Sequence, residues 1–107
     1  MIQEMVVKQR AYFDTGATRP LAARKAALQK IYSLLGEYQS QFVEAFKADY
    51  NKCEFDVLAT EYYLVMEECR WQLKHLKKMS KTKSVKTSIF NFPSKGYLMQ
   101  EPYGVCL

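Results

Sequence analysis

Three cysteines, one histidine and a run of lysines are the side chains whose chemistry could go beyond packing. Cys53 stands in "NKCEF", beside Lys52 and ahead of a helical stretch. A cation and a helix start are two weak means of stabilising a thiolate, and no base accompanies them. We therefore read Cys53 as a small helix-start residue. Cys69 falls on an apolar stripe and reads as core. Cys106, between Val105 and Leu107, reads as a strand interior with no base in view. The cysteine count is odd, Cys-x-x-Cys is absent, and His75 is the lone imidazole. Structural zinc needs about four closely spaced ligands, so no metal site is expected, and the thiols are expected to be reduced. His75 lies near the end of the longest helical stretch, where a cation suits the helix dipole. Glu67-Glu68 and Glu54/Asp56 are the paired carboxylates, and neighbouring helical positions point about 100° apart rather than at one atom. Phosphate-binding glycine patterns are absent. No catalytic, cofactor-binding or metal-ligating residue is assigned from these patterns.

The charge is uneven. The 107 residues carry a formal +5, yet residues 1–73 hold nine Lys/Arg against ten Asp/Glu, and residues 74–107 hold seven against one. The excess is Lys74, Lys77, Lys78, Lys81, Lys83 and Lys86, with His75 among them. Between 74 and 88 there is no aromatic residue to stack on a base, so nucleic acid is not an expected partner. The stretch reads as a solvated face, with weak contact to an anionic membrane surface as the alternative. No apolar run approaches the roughly 20 residues of a membrane span. "MIQEMVVKQR" has no apolar core of a secretory signal, which favours a cytoplasmic protein.

Periodicity supplies the elements that would position these groups. Residues 2–15 place Ile2, Met5, Val6, Tyr12 and Phe13 on one helical stripe, with Gly16 as its stop. Thr18 and Pro20 open a second helix to about Leu35, striped by Leu21, Leu28, Ile31 and Leu35, with Gly36 as an interruption. A third helix spans about 37–50 and presents Tyr38, Phe42 and Phe46, with Asn51 as terminator. The fourth and longest spans about 54–79, on a stripe of Phe55, Leu58, Tyr62, Val65, Met66, Cys69, Leu73 and Leu76. Residues 80–96 read as a basic extended connection. Residues 97–107 read as two strands, "YLMQE" and "VCL", joined through Pro102-Tyr103-Gly104. The fold class is mainly α, about four helices, with a short C-terminal β pair.

Four stretches, in order, resemble the N-terminal segment of the aldehyde dehydrogenase family, of the class 3 or fatty-aldehyde type. "VVKQRAYFDTGATRPLAARKAALQKI" resembles the opening helix, the TG-x-T turn and the second helix. "EAFKADYNKCEFD" is similar to the family's AL-x-x-DL-x-K-x-x-x-E region, and "TEYYLVMEECRWQLKHLKKM" to the long helix after it. "VKT…FPSKGYLMQEPYGVCL" resembles the approach to the EP-x-GVV-L-I strand. Met79 stands where relatives often have tryptophan, and Cys106 where they often have valine. The resemblance covers essentially the whole chain.

It implies an N-terminal fragment of an α/β enzyme, with residues 1–79 as a helical layer and 97–107 as the first strands of a bridging sheet. The family's oxyanion-hole asparagine, nucleotide-binding glycines, general-base glutamate and nucleophilic cysteine all come later in its sequence. The fragment alone is therefore expected to be inactive and to hold no cofactor. The full-length parent is expected to oxidise aldehydes with NAD or NADP, as a homodimer, with the remainder of its own polypeptide as this segment's partner. By position in the family, Thr60, Glu61 and Leu64 would border the substrate entrance. The rival readings are a free-standing helical interaction module and an anionic-polymer or membrane-surface binder through Lys74–Lys86.

Overall fold

The computed structural model describes residues 1–106. Two compact units are formed, one by Arg24–His75 and one by Met1–Ala23 with the chain from Leu76 onward. The helices are α1 (Ile2–Asp14), α2 (Leu21–Glu37), α3 (Gln39–Tyr50), α4 (Glu54–Val57) and α5 (Tyr63–Met79). Between α4 and α5, residues Leu58–Tyr62 form a π turn, so the stretch from Glu54 to Met79 is one helix with a widened turn inside it. The mainly α fold with a two-stranded antiparallel sheet is therefore the one expected.

Two of the expected stops act as stops. Gly16 adopts φ +74°, the left-handed conformation that costs glycine least, and its N–H donates to the Phe13 carbonyl at 2.9 Å. Asn51 takes the same region at φ 53°, with its N–H on the Lys47 carbonyl. Gly36 does not interrupt: α2 runs through it to Glu37, and the chain turns at Tyr38 (φ −101°, ψ 17°) instead. A glycine inside a helix costs only about 1 kcal/mol, too little to end one that gains by continuing.

In the unit of residues 24–75, the buried apolar side chains are Val57, Tyr62 and Cys69. Val57 and Tyr62 are five residues apart, one more than an α-helix places on one face, and the π turn absorbs the extra residue. The Tyr63 N–H accordingly reaches back five residues to the Leu58 carbonyl. Tyr62 and Cys69, seven apart, then share a face over two regular turns. The expected stripe holds at Tyr62 and Cys69, is half-buried at Leu58, Met66, Leu73 and Leu76, and fails at Phe55 and at Val65, which is 49% exposed. Phe55 is 77% exposed, while Val57, absent from that stripe, is fully buried. The Tyr62 hydroxyl donates to the Leu35 carbonyl at 2.9 Å and ties the end of α2 to the π turn. α3 packs on α4 and on the same turn.

In the other unit, Arg19 pairs with Glu101 at 3.1 Å, joining the turn after Gly16 to the C-terminal stretch. The sheet pairs β1 (Lys83–Val85) with β2 (Gly96–Leu98), with Lys83 opposite Leu98 and Val85 opposite Gly96. This corrects the expected pairing on two counts. The basic connection contains a strand, and Val105 and Cys106 lie outside any strand; Leu107 falls outside the described residues. Gly96 explains the register. A Cβ there would stand 2.8 Å from the Thr87 Cγ2 and 3.0 Å from the Val85 Cγ2, so only glycine lets the strands approach.

Apolar surface remains open. Ile31, Leu34, Tyr38 and Phe42 are between 40% and 47% exposed and, with Leu35, line an apolar depression. The widened turn makes a testable statement about register. Val57→Ala should lower the unfolding free energy by about 1–3 kcal/mol. Phe55→Ala should change it by no more than about 0.5 kcal/mol. Urea denaturation followed by circular dichroism ranks the two, and a regular α-helical register would reverse the order.

Candidate functional site

The π turn is where the residues expected at a substrate entrance gather. Thr60 and Glu61 lie within it and Leu64 follows one turn later, 63% exposed. Thr60 donates its hydroxyl to the Asp56 carbonyl at 2.6 Å. From the connection before α4, Lys52 reaches both residues. Its ammonium pairs with the Glu61 carboxylate and lies 3.5 Å from the Thr60 hydroxyl. It also stands 5.9 Å from the centre of the Phe46 ring. The Lys52 and Glu61 side chains are 34% and 40% exposed, a half-buried pair rather than a free surface one. The structure thus brings Thr60 and Glu61 together and adds Lys52. In the sequence Lys52 stands out only as a neighbour of Cys53, since a pair nine residues apart across a turn leaves no periodic signal.

Beneath the turn, Tyr62 packs edge-on against Tyr63, ring centres 5.3 Å apart. Burial first, then the neighbouring Tyr63 and Tyr32 phenols, push the Tyr62 hydroxyl above its ordinary pKa of 10.0. Arg70 donates to the Tyr32 hydroxyl at 3.0 Å and pairs with Glu67. The Tyr32 hydrogen bond, followed by Glu67, raises the guanidinium pKa further. Glu68 accepts from Gln72 at 2.7 Å. The two adjacent carboxylates are thus each engaged by a neighbour on the helix.

The other candidates stay apart. Cys53 is exposed and extended, directly ahead of α4, where its sulfur caps nothing. It lines an open groove of about 740 Å³ between the end of α2, α3 and the start of α4. Cys69 is buried, as the stripe required, and Cys106 is exposed. His75 stacks on Trp71 with ring centres 4.3 Å apart, and its Nδ1 lies 2.8 Å from the Trp71 carbonyl. Lys74, Lys77, Lys78, Lys81, Lys83 and Lys86 are all exposed. Among the described residues no three His, Cys, Asp or Glu side chains gather as a metal site would require.

No protein-family model matches the chain. Over 107 residues it is 33% identical to the 4,4'-diaponeurosporen-aldehyde dehydrogenase of Staphylococcus aureus, which spans 100% of this chain and 23% of that enzyme. Over 106 residues it is 30% identical to the dimeric NADP-preferring aldehyde dehydrogenase of the dog, covering 99% of this chain and 23% of that one. A solved structure of Staphylococcus aureus AldH in a substrate-bound state matches with a TM-score of 0.92 at 32% identity. That match covers 96% of this chain and 22% of the other. The chain belongs to the aldehyde dehydrogenase superfamily. Its likeness includes family 3 members, and it corresponds to the N-terminal part of these enzymes. It spans less than a quarter of the length of the curated aldehyde dehydrogenases named here.

The raised Tyr62 pKa sets the sign of a pH effect. The fold favours the neutral phenol, so its stabilisation is full below about pH 10 and is lost as pH rises through the higher folded value. Spectrophotometric titration should find one tyrosine ionising after the others as stability falls. Tyr62→Phe should remove that last component and flatten the fall. An unchanged titration in the variant would rule the assignment out.

Proposed function

We propose that this chain is the N-terminal helical layer, with the first strands of the bridging sheet, of an NAD(P)-dependent aldehyde dehydrogenase that oxidises aldehydes to carboxylic acids. One observation carries the reading: likeness to the substrate-bound AldH structure runs over 96% of the chain at a TM-score of 0.92, on a segment whose apolar faces stand open. Thr60, Glu61 and Leu64 border the aldehyde's path, and the remainder of the polypeptide covers the open faces. The family's chemistry draws on a thiolate, oxyanion donors and a dinucleotide. The residues here do not fit a dinucleotide, because among the described residues no glycine-rich turn joins a strand to a helix. We assign no reaction step to them.

A homodimer is part of the proposal, supported by the dog relative, whose name states that it is dimeric. So is a cytoplasmic location. Among the described residues no helix is long and apolar enough to cross a membrane, although one relative, from Arabidopsis thaliana, is named as chloroplastic. Weak contact with an anionic membrane is a second reading, favoured by Ile89, Phe90 and Phe92, each 83–95% exposed in a stretch bearing Lys83, Lys86 and Lys95.

The purified chain, given a medium-chain aldehyde with NAD or NADP, should form no reduced nucleotide and should bind a hydrophobic dye. Nucleotide reduction by the chain alone would overturn the proposal, and a soluble, dye-negative monomer would favour a free-standing helical module. For the second reading, sedimentation with anionic but not zwitterionic vesicles, lost at high salt, is the expected result. Equal sedimentation with both would remove it.

A further inference from the structure

We propose that Lys52 is a positioning and specificity residue for the substrate entrance, holding the Glu61 carboxylate neutralised against the π turn so that the border accepts an apolar aldehyde. The inference rests on the reading of Thr60, Glu61 and Leu64 as that border.

The backbone on both sides of Lys52 is fixed. Asn51 before it is in the left-handed conformation and bonded to Lys47, and Cys53 after it is extended at the start of α4. The side chain is therefore aimed by the fold. Its ammonium has three neighbours drawn from two elements: Glu61 and Thr60 on the π turn, and the Phe46 ring on α3. The exposed lysines from 74 to 86 lie outside this cluster. Thr60 is fixed in turn by its bond to the Asp56 carbonyl, so Lys52 reads against a turn whose polar groups are already oriented.

The charge arrangement explains what the contact does. Widened turns recur at functional sites because the inserted residue re-aims the side chains around it. Here the inserted residue carries Glu61 round to Lys52, with the exposed Leu64 one turn further on. A carboxylate left unpaired beside Leu64 would keep its hydration, and an apolar ligand would have to strip that water away. Paired with Lys52, Glu61 presents a border without net charge. Lys52 touches no reacting atom in this scheme and acts through Glu61.

The test uses the full-length enzyme that carries this segment, with aldehydes of increasing chain length. Lys52→Met keeps the apolar stem and removes the charge. It should raise KM about three- to tenfold with kcat within about twofold, and more for longer aldehydes. Lys52→Met combined with Glu61→Gln should bring KM back to within about twofold of the unmodified enzyme, because the unpaired carboxylate is gone. Lys52→Arg should stay close to the unmodified enzyme. An unchanged KM in Lys52→Met would overturn the inference. So would a KM defect that Glu61→Gln does not relieve, since that would mark Lys52 as merely structural. An unmodified full-length protein without dehydrogenase activity would remove the proposed function and this inference with it. An active enzyme with an unmoved KM would remove the inference alone.

Discussion

Val57 and Tyr62 are buried five residues apart on one helix, and the rest of the 24–75 unit follows from that spacing. At about 100° per residue, a regular α-helix would turn them about 140° away from each other. Burying both requires a turn with one residue more. The π turn at Leu58–Tyr62 meets that requirement, a rare geometry found mostly as a single turn inside an α-helix. Tyr62 secures it by donating its hydroxyl to the Leu35 carbonyl, a group near the end of α2. A typical bond of this kind is worth about 1 kcal/mol net, and leaving its buried partner unpaired costs more.

The same spacing connects packing to chemistry. Residues on the outer side of a widened turn cannot follow the helix stripe, so Thr60 and Glu61 take their positions from the core beneath them and from Lys52 across the turn. The Lys52 side chain extends from a backbone locked by a left-handed Asn51, and the core is fixed by the burial of Val57 and Tyr62. The polar cluster is thus set by two independent constraints. A change to either would move Glu61 without touching it.

Much of this was legible in the sequence, and the failures in the core and in the sheet share one cause. Helix stops at Gly16 and Asn51 follow from local conformational preference, and the shared buried face of Tyr62 and Cys69 follows from a constant helical period. The same period, continued back to Phe55, puts that residue in the core, and it does not hold there. Nothing local marks the inserted residue, since it is fixed by what Val57 and Tyr62 pack into. The strand pair failed similarly. Lys83-Ser84-Val85 is polar enough to pass for a connection, and only the distant Gly96 permits its pairing. The Lys52–Glu61 contact needs both the turn at Asn51 and the π turn, so neither residue announces it. The family resemblance, by contrast, was carried by four motifs in order and did not depend on register.

The two units leave different kinds of surface. In the 24–75 unit the open face is the depression of Ile31, Leu34, Leu35, Tyr38 and Phe42, whose exposed lining is wholly apolar. Such a face suits another packed layer of protein, because nothing on it needs water. In the other unit the exposed Ile89, Phe90 and Phe92 share their stretch with Lys83, Lys86 and Lys95. Burying those side chains beneath a protein layer would require their ammonium groups to reach water or an acid. A single apolar covering therefore cannot serve both units equally. The first face calls for shape-matched hydrocarbon, and the second for a surface that also supplies negative charge or leaves the lysines at its rim.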